Sequence, residues 1–298
     1  MKRRAIVSGL MILSVLAVSS LQAADVPPDI EKKHVQMLYP VVRVTVKNAG
    51  GSGTILYSED RGDGCQTYVL TNYHVIEEAI NVVTEWSSLI QQDVKREVND
   101  EVKVEIFRYT QGSRQDFSDA CQAEIVASAK EEDLALLRLK TSRKIDNVAK
   151  MLPENVKIYI FQPIYAVGCS LLHPPIATKG EINYLDDVID KRTYWMGTAN
   201  IVFGNSGGAV FTEHNGDYYF IGVPSRVAGH WSQIFPHMGW FIPITRVRSW
   251  AKAEHLDFLI DPKVKPSDCF AKREQLRKEA ELRLSAQKKS EPTPAPKP

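Results

Sequence analysis

Between Val41 and Ile244 the chain alternates apolar and polar positions in short runs separated by turn residues, a pattern that predicts strands. Val42, Val44 and Val46 mark one face of Val41–Lys47. Ser52–Tyr57 and Gln66–Asn72 follow across a turn containing Asp60, Gly62, Asp63 and Gly64, and then come Glu101–Tyr109, Gln122–Ala127 and Asp133–Leu139. A second set begins after Pro153: Lys157–Gly168, Ile176–Tyr184, Thr193–Asn200, Gly207–Thr212, Tyr218–Val227 and Gly239–Ile242. Two sets of about six strands predict an all-β protein of two barrels, about 34–150 and 151–260.

Three stretches carry a helical period instead. Trp86, Leu89, Ile90, Val94 and Val98 recur at helical spacing, which predicts a helix over Trp86–Val98 inserted between strands. Val247, Trp250, Ala251 and Leu256 predict a helix within Ile244–Leu259 that packs on the second barrel. Pro262, Pro266 and Ser267 then break the chain. A solvated helix is expected over Ala271–Gln287, with Glu274–Lys278 and Glu279–Arg283 at the favourable four-residue spacing. It belongs to an extension over 261–289, followed by a disordered Pro-rich tail over 290–298.

Composition narrows the function classes. Apolar residues make up 44% of the 298, too many for a disordered chain. With 37 Lys and Arg against 36 Asp and Glu, no basic excess points to nucleic acid as a partner. The first 23 residues read as a secretory signal: Lys2, Arg3 and Arg4, an apolar run from Ala5 to Val18, then small residues up to Ala23 and Ala24, either of which ends the segment. Export to a periplasm or to the medium is therefore expected, with no stable membrane insertion after cleavage. The four cysteines can then form disulfides. No CxxC or Cys/His spacing predicts a metal, and His34, His173, His214, His230 and His237 are scattered. No cofactor is called for.

Three segments complete one another chemically. Gly204-Asn205-Ser206-Gly207-Gly208 lies between two apolar strands. Read alone it is as easily a turn. Its glycines would let a carbonyl reach the Ser206 hydroxyl and let the N–H groups of Gly204 and Ser206 share one oxyanion hole. A serine hydroxyl needs a base. His74, in Thr71-Asn72-Tyr73-His74-Val75, leaves the end of an apolar strand. Asp133 heads the apolar run Leu134-Ala135-Leu136-Leu137, where an acid can hold an imidazole in one tautomer. The order His74, Asp133, Ser206 places two members in the first strand set and one in the second.

These segments, with Gly51-Ser52-Gly53-Thr54-Ile55, resemble the trypsin-like serine peptidases. Ala166-Val167-Gly168, Lys179-Gly180-Glu181-Ile182 and Gly239-Trp240-Phe241-Ile242-Pro243-Ile244 resemble blocks of the HtrA-like branch. The resemblance runs from about Val41 to Val247. It implies two six-stranded antiparallel barrels of the chymotrypsin type and endopeptidase hydrolysis of protein or peptide substrates by His74, Asp133 and Ser206. HtrA-like proteins usually add a PDZ domain. About 50 residues follow Val247 here, and no PDZ domain is expected in them.

The same resemblance frames specificity. Asn205 stands where digestive relatives carry an Asp that pairs with a new amino terminus, so that switch is not expected. The primary pocket is expected from Asn200, Ile201 and Val202 on one wall and Val223 to Arg226 on the other. Neutral Asn200 and the apolar walls favour small or apolar side chains, while Arg226 would favour an acid. Cys65–Cys121 within the first barrel and Cys169–Cys269 in the second half are the expected disulfides. Two other readings stay open, a catalytically silent trypsin-like binding module and an esterase. The complete residue set favours the peptidase over the first. The strand setting of Ser206, unlike a strand-to-helix elbow, favours it over the second.

Overall fold

The computed structural model describes residues 26–61, 64–87, 92–110, 113–231 and 233–290. The expected signal segment and the tail beyond Ser290 lie outside the described residues. A short helix α1 (Pro28–Lys33) leads into β1 (Val41–Thr45), β2 (Gly50–Asp60) and β3 (Cys65–Thr71). The one-turn helix α2 (Tyr73–Ile76) follows, then β4 (Ile80–Ser87), β5 (Gln92–Asn99), β6 (Val102–Thr110), β7 (Arg114–Ala129) and β8 (Leu134–Leu139). Six of these close a barrel in the order β1-β2-β3-β8-β7-β6. A second barrel is built from β9 (Pro163–Gly168), β10 (Ile176–Ile189), β11 (Arg192–Gly197), β12 (Ala209–His214), β13 (Asp217–His230) and β14 (Gln233–Pro243), in the order β10-β11-β14-β13-β12-β9. All barrel neighbours are antiparallel. Helices α3 (Ile244–Ala253) and α4 (Pro266–Ser290) close the chain.

Strand periodicity explains how one apolar run serves two cores. In β8, Ala135, Leu137 and Leu139 point into the first barrel with Val42, Val44, Ile55 and Val69. The alternate residues Leu134 and Leu136 join a cluster outside it, with Tyr68 and Leu70 of β3. That outer cluster continues into the second barrel through Ile164, Val210, Phe220 and Phe241. Both faces of β3 and β8 are thus buried, so their sequences read as continuous apolar runs.

The C-terminal segment supplies the cover. Phe258 lies 4.7 Å from the Tyr68 ring and 5.3 Å from Tyr57, and Phe270 stacks on Tyr68 at 5.8 Å. The expected helix within Ile244–Leu259 ends at Ala253, and its sequel crosses from the second barrel to the outer face of the first. Pro266 opens α4 rather than breaking it, because a first-turn proline lacks only an N–H that has no helical partner. Among the described residues no helix is long and apolar enough to cross a membrane.

Two expectations are corrected. Within Trp86–Val98 the described residues are not helical but belong to the hairpin β4–β5, a two-stranded sheet of its own, with Trp86 opposite Asp93 and Val82 opposite Glu97; Leu89 and Ile90 lie outside the described residues. Val82, Trp86 and Val98 are exposed rather than aligned on a buried face, and β-branched Val82, Val83 and Thr84 suit a strand. The four cysteines are free. β8 separates β3, where Cys65 sits, from β7, where Cys121 sits. The Cys65 and Cys121 thiols donate instead to Ser142 O and Val104 O. Cys169 ends in the second barrel beside Ser52, while Cys269 is buried in the first turn of α4.

Smaller differences concern strand length. β9 begins only at Pro163, since Phe161 takes a left-handed φ of 70° that ends regular pairing. β13 and β14 run further than expected because they pair beyond the barrel, to His230 opposite Gln233.

Candidate functional site

The strand β3 delivers the first site residue. It ends at Thr71, Asn72 is extended, and the chain turns into α2, anchored by buried Val75 and Ile76. His74 immediately precedes those anchors, with its side chain 44% exposed. Its Nδ1 lies 2.9 and 3.0 Å from the two carboxylate oxygens of Asp133, and its backbone N–H donates to Asp133 Oδ1 at 3.1 Å. A carboxylate only accepts, so Nδ1 carries a proton, which in the neutral ring leaves the lone pair on Nε2.

Asp133 precedes β8 in a left-handed conformation, φ 54°. Its carbonyl accepts Asn72 Nδ2 at 2.8 Å, and its amide donates to Lys130 O at 3.1 Å. The second carboxylate oxygen accepts a 2.7 Å hydrogen bond from Ser225 Oγ, reaching across from the second barrel. Sequence reasoning placed Ser225 only inside a pocket wall and gave it no role. Its direction comes from a β-bulge: Pro224 pairs with Phe241 and Arg226 with Trp240, which leaves Ser225 as the extra residue. A bulge re-aims a side chain in a way that period-two reading does not foresee.

The Ser206 loop is tied down on all sides. Ser52, fully buried, donates its N–H to Ser206 O at 2.7 Å and its hydroxyl to Gly204 O at 2.6 Å. The same hydroxyl accepts the Cys169 N–H at 2.7 Å, and Ser52 O accepts Thr71 Oγ1 at 2.7 Å. Ser52 therefore joins the first barrel to the loop of the second, a role invisible in its motif. The buried Asn205 accepts Val202 N–H and Ser170 Oγ on its side-chain oxygen, at 3.1 and 2.8 Å. The Asn205, Gly207 and Gly208 amides donate to Val202 O, Pro224 O and Asn205 O. Among the described residues the Gly204 and Ser206 amides have no such backbone acceptor. Gly204 and Gly207 adopt φ 92° and 83°, and a Cβ on either would lie 2.4 Å from Cys169 O or 2.2 Å from Ser52 O. Only glycine fits both the conformation and the space.

His74 and Ser206 line one cavity of about 440 Å³ with Ile201, Val202, Phe203, Ser225, Arg226 and Val227. Of the expected pocket wall, Ile201, Val202 and Arg226 are present. Val223 does not line the cavity: it is fully buried opposite Ile242. Asn200 does not line it either; its side of the chain is exposed, and its carbonyl accepts Thr178 Oγ1 at 2.9 Å. Ser225 of the expected wall also lines it, and Phe203 and Val227 complete the lining. The Arg226 guanidinium lies 2.9 Å from Asp190 and 5.2 Å over the Tyr194 ring. Burial pushes the nearby Cys169 thiol up to about 12, which keeps it protonated beside this loop.

Residues 51–223, more than half the chain, match the family model of the trypsin-like peptidase domain. No curated protein matches the sequence. Among solved structures, a variant of the HtrA-type protease AlgW with tripeptide is similar at a TM-score of 0.53 and 18% identity, over 79% of this chain and 65% of that one. AlgW with tripeptide gives 0.53 and 19%, over 78% and 64%. The serine endoprotease from Yersinia pestis gives 0.51 and 20%, over 79% and 68%. This chain thus spans slightly less than two thirds of the AlgW chains, and at such identities the likeness is one of fold. On the family match and the two closed barrels, the chain belongs to the trypsin-like peptidases.

Proposed function

We propose that this chain is an exported serine endopeptidase in which Ser206 is the nucleophile, His74 the general base and Asp133 the group that orients His74. The observation that carries the reading is the pairing of His74 Nδ1 with both Asp133 oxygens, at 2.9 and 3.0 Å, on the wall of a cavity that Ser206 shares. With Nδ1–H committed to Asp133, Nε2 takes the proton as Ser206 Oγ attacks the scissile carbonyl. Asp133 stabilises the imidazolium without accepting its proton. The Gly204 and Ser206 amides receive the oxyanion. His74 then protonates the leaving amine, and the acyl-enzyme is hydrolysed by water that His74 activates in the same way.

The pocket supports small or apolar side chains before the cleaved bond. Ile201, Val202, Phe203 and Val227 give it apolar walls. The charge of Arg226, which in isolation would favour an acid, is partnered by Asp190. The AlgW neighbours were solved with a tripeptide, in keeping with a peptide ligand for this fold. The basic and apolar start of the sequence supports export to a periplasm or the medium.

Labelling with a fluorophosphonate probe tests the assignment. The native protein should label and cleave casein. Ser206→Ala should fold normally, resist labelling and lose turnover by several orders of magnitude, as expected when the nucleophile is removed. Retained casein cleavage by Ser206→Ala would refute the mechanism, and a native protein that neither labels nor cleaves would support the binding-module reading.

A further inference from the structure

The turn that presents Asp133 is held from the opposite barrel. Asp133 adopts φ 54°, a conformation that is strained for a residue with a Cβ and persists where its surroundings over-determine it. Asn72 and Lys130 restrain Asp133 from within the first barrel. The two residues before it, Glu131 and Glu132, are gripped by arginines of the second.

Arg246, in the first turn of α3, is the centre of this grip. Its Nε and Nη2 donate to Glu132 Oε2 at 3.1 and 2.9 Å, Nη2 also to Glu132 O at 3.1 Å, and Nη1 to Thr193 O at 3.1 Å. The side chain is 11% exposed, and its guanidinium lies 4.9 Å over the Tyr194 ring. Arg192, at the start of β11, donates to Glu131 O at 3.1 Å and lies 3.0 Å from Glu132 Oε1. Both oxygens of Glu132 and the carbonyls of Glu131 and Glu132 are thus fixed relative to β11 and α3.

A sequestered ion pair of this kind adds little net stability, because desolvation offsets its attraction. What it supplies is geometry. The planar guanidinium fork reads a carboxylate oxygen and two carbonyls at once, and a point-charge ammonium does not. The carbonyl of Glu132 belongs to the peptide unit that enters Asp133. Movement of that unit is transmitted to the Asp133 contacts with His74 and Ser225. A shift of about 1 Å in such a constellation can cost about 100-fold in rate.

We propose that Arg246, acting through Glu132, is a positioning residue that sets the Asp133 carboxylate against His74 from across the barrel junction. The proposal rests on His74, Asp133 and Ser206 being the catalytic set.

The test uses the full chain with Arg246→Met, Arg246→Lys and Glu132→Gln, and Ser206→Ala in parallel. The measurements are kcat and KM on a peptide with an aliphatic residue before the cleaved bond, Tm, and the low-field proton resonance of the His74 Nδ1–H bonded to Asp133. Arg246→Met should lower kcat about tenfold with KM within about twofold, and shift or broaden that resonance. Arg246→Lys should recover only part of the loss. Glu132→Gln keeps the shape of the side chain and should reproduce the effect even if Arg246→Met fails to fold. A folded Arg246→Met or Glu132→Gln with native kcat and an unchanged resonance would overturn the proposal. So would a loss confined to Tm, with native kcat per labelled Ser206. Turnover retained by Ser206→Ala would instead overturn the catalytic set, while the resonance would still report whether Arg246 orders Asp133 and His74.

Discussion

Ser52→Ala tests how the first barrel holds the loop of the proposed nucleophile, Ser206. The substitution deletes one oxygen from a fully buried site and leaves the Ser52 N–H to Ser206 O bond and the Thr71 to Ser52 O bond in place. The register of the loop should therefore survive. Two bonds disappear: the hydroxyl no longer accepts the Cys169 amide at 2.7 Å or donates to Gly204 O at 2.6 Å. A buried amide left without a partner costs about 1–3 kcal/mol. For a domain of this size that corresponds to a fall in Tm of roughly 2–4 °C per kcal/mol. Freed from Ser52, the Gly204 carbonyl no longer pins the loop whose amides are proposed to receive the oxyanion. We expect kcat to fall about tenfold, equivalent to about 1.4 kcal/mol of transition-state stabilisation, with KM nearly unchanged. The assay is steady-state hydrolysis of a chromogenic peptide, normalised to phosphonate-labelled Ser206, beside thermal unfolding. A lowered Tm with native kcat would show that Ser52 only fills the junction, and the link from the first barrel to the oxyanion site would be refuted.

Three further outcomes are expected. Asp133→Asn should keep the fold and lower kcat by up to about 10⁴-fold, as in serine peptidases where the orienting acid is neutralised; a loss below tenfold in steady-state assays would contradict the role of Asp133. Phe270→Ala removes a ring stacked on Tyr68 and packed near Phe258, so urea unfolding should show a loss of about 2 kcal/mol with unchanged kcat; a parallel loss of kcat would give α4 a part in the site. Burial holds the His34 imidazole below its usual range, so the folded state binds its proton less readily than the unfolded chain. Its contribution is complete above the unfolded histidine range and is lost as pH falls through it, so Tm should drop less steeply below about pH 6.5 in His34→Gln; parallel Tm curves for the two proteins would count against it.

The sequence determined the two sets of barrel strands and a proposed catalytic set because both are written at short range. The apolar runs of β1, β3 and β8 need no tertiary knowledge, and His74, Asp133 and Ser206 are proposed from their order and the residues beside them. The hairpin β4–β5 was misread because Val82, Trp86 and Val98 are exposed and mark no core face, leaving the chance spacing of Trp86, Val94 and Val98 to imply a helix. The disulfides failed for a related reason: cysteine count and domain membership do not reveal that β8 intervenes between Cys65 and Cys121. Everything that spans the junction was decided by the tertiary structure. Ser225 reaches Asp133 through a bulge, Ser52 reaches Gly204 by closure of one barrel on the other, and Arg246 reaches Glu132 from a helix more than a hundred residues later. Such contacts depend on where two separately closed sheets meet, and no local pattern of hydrophobic and polar residues encodes that distance.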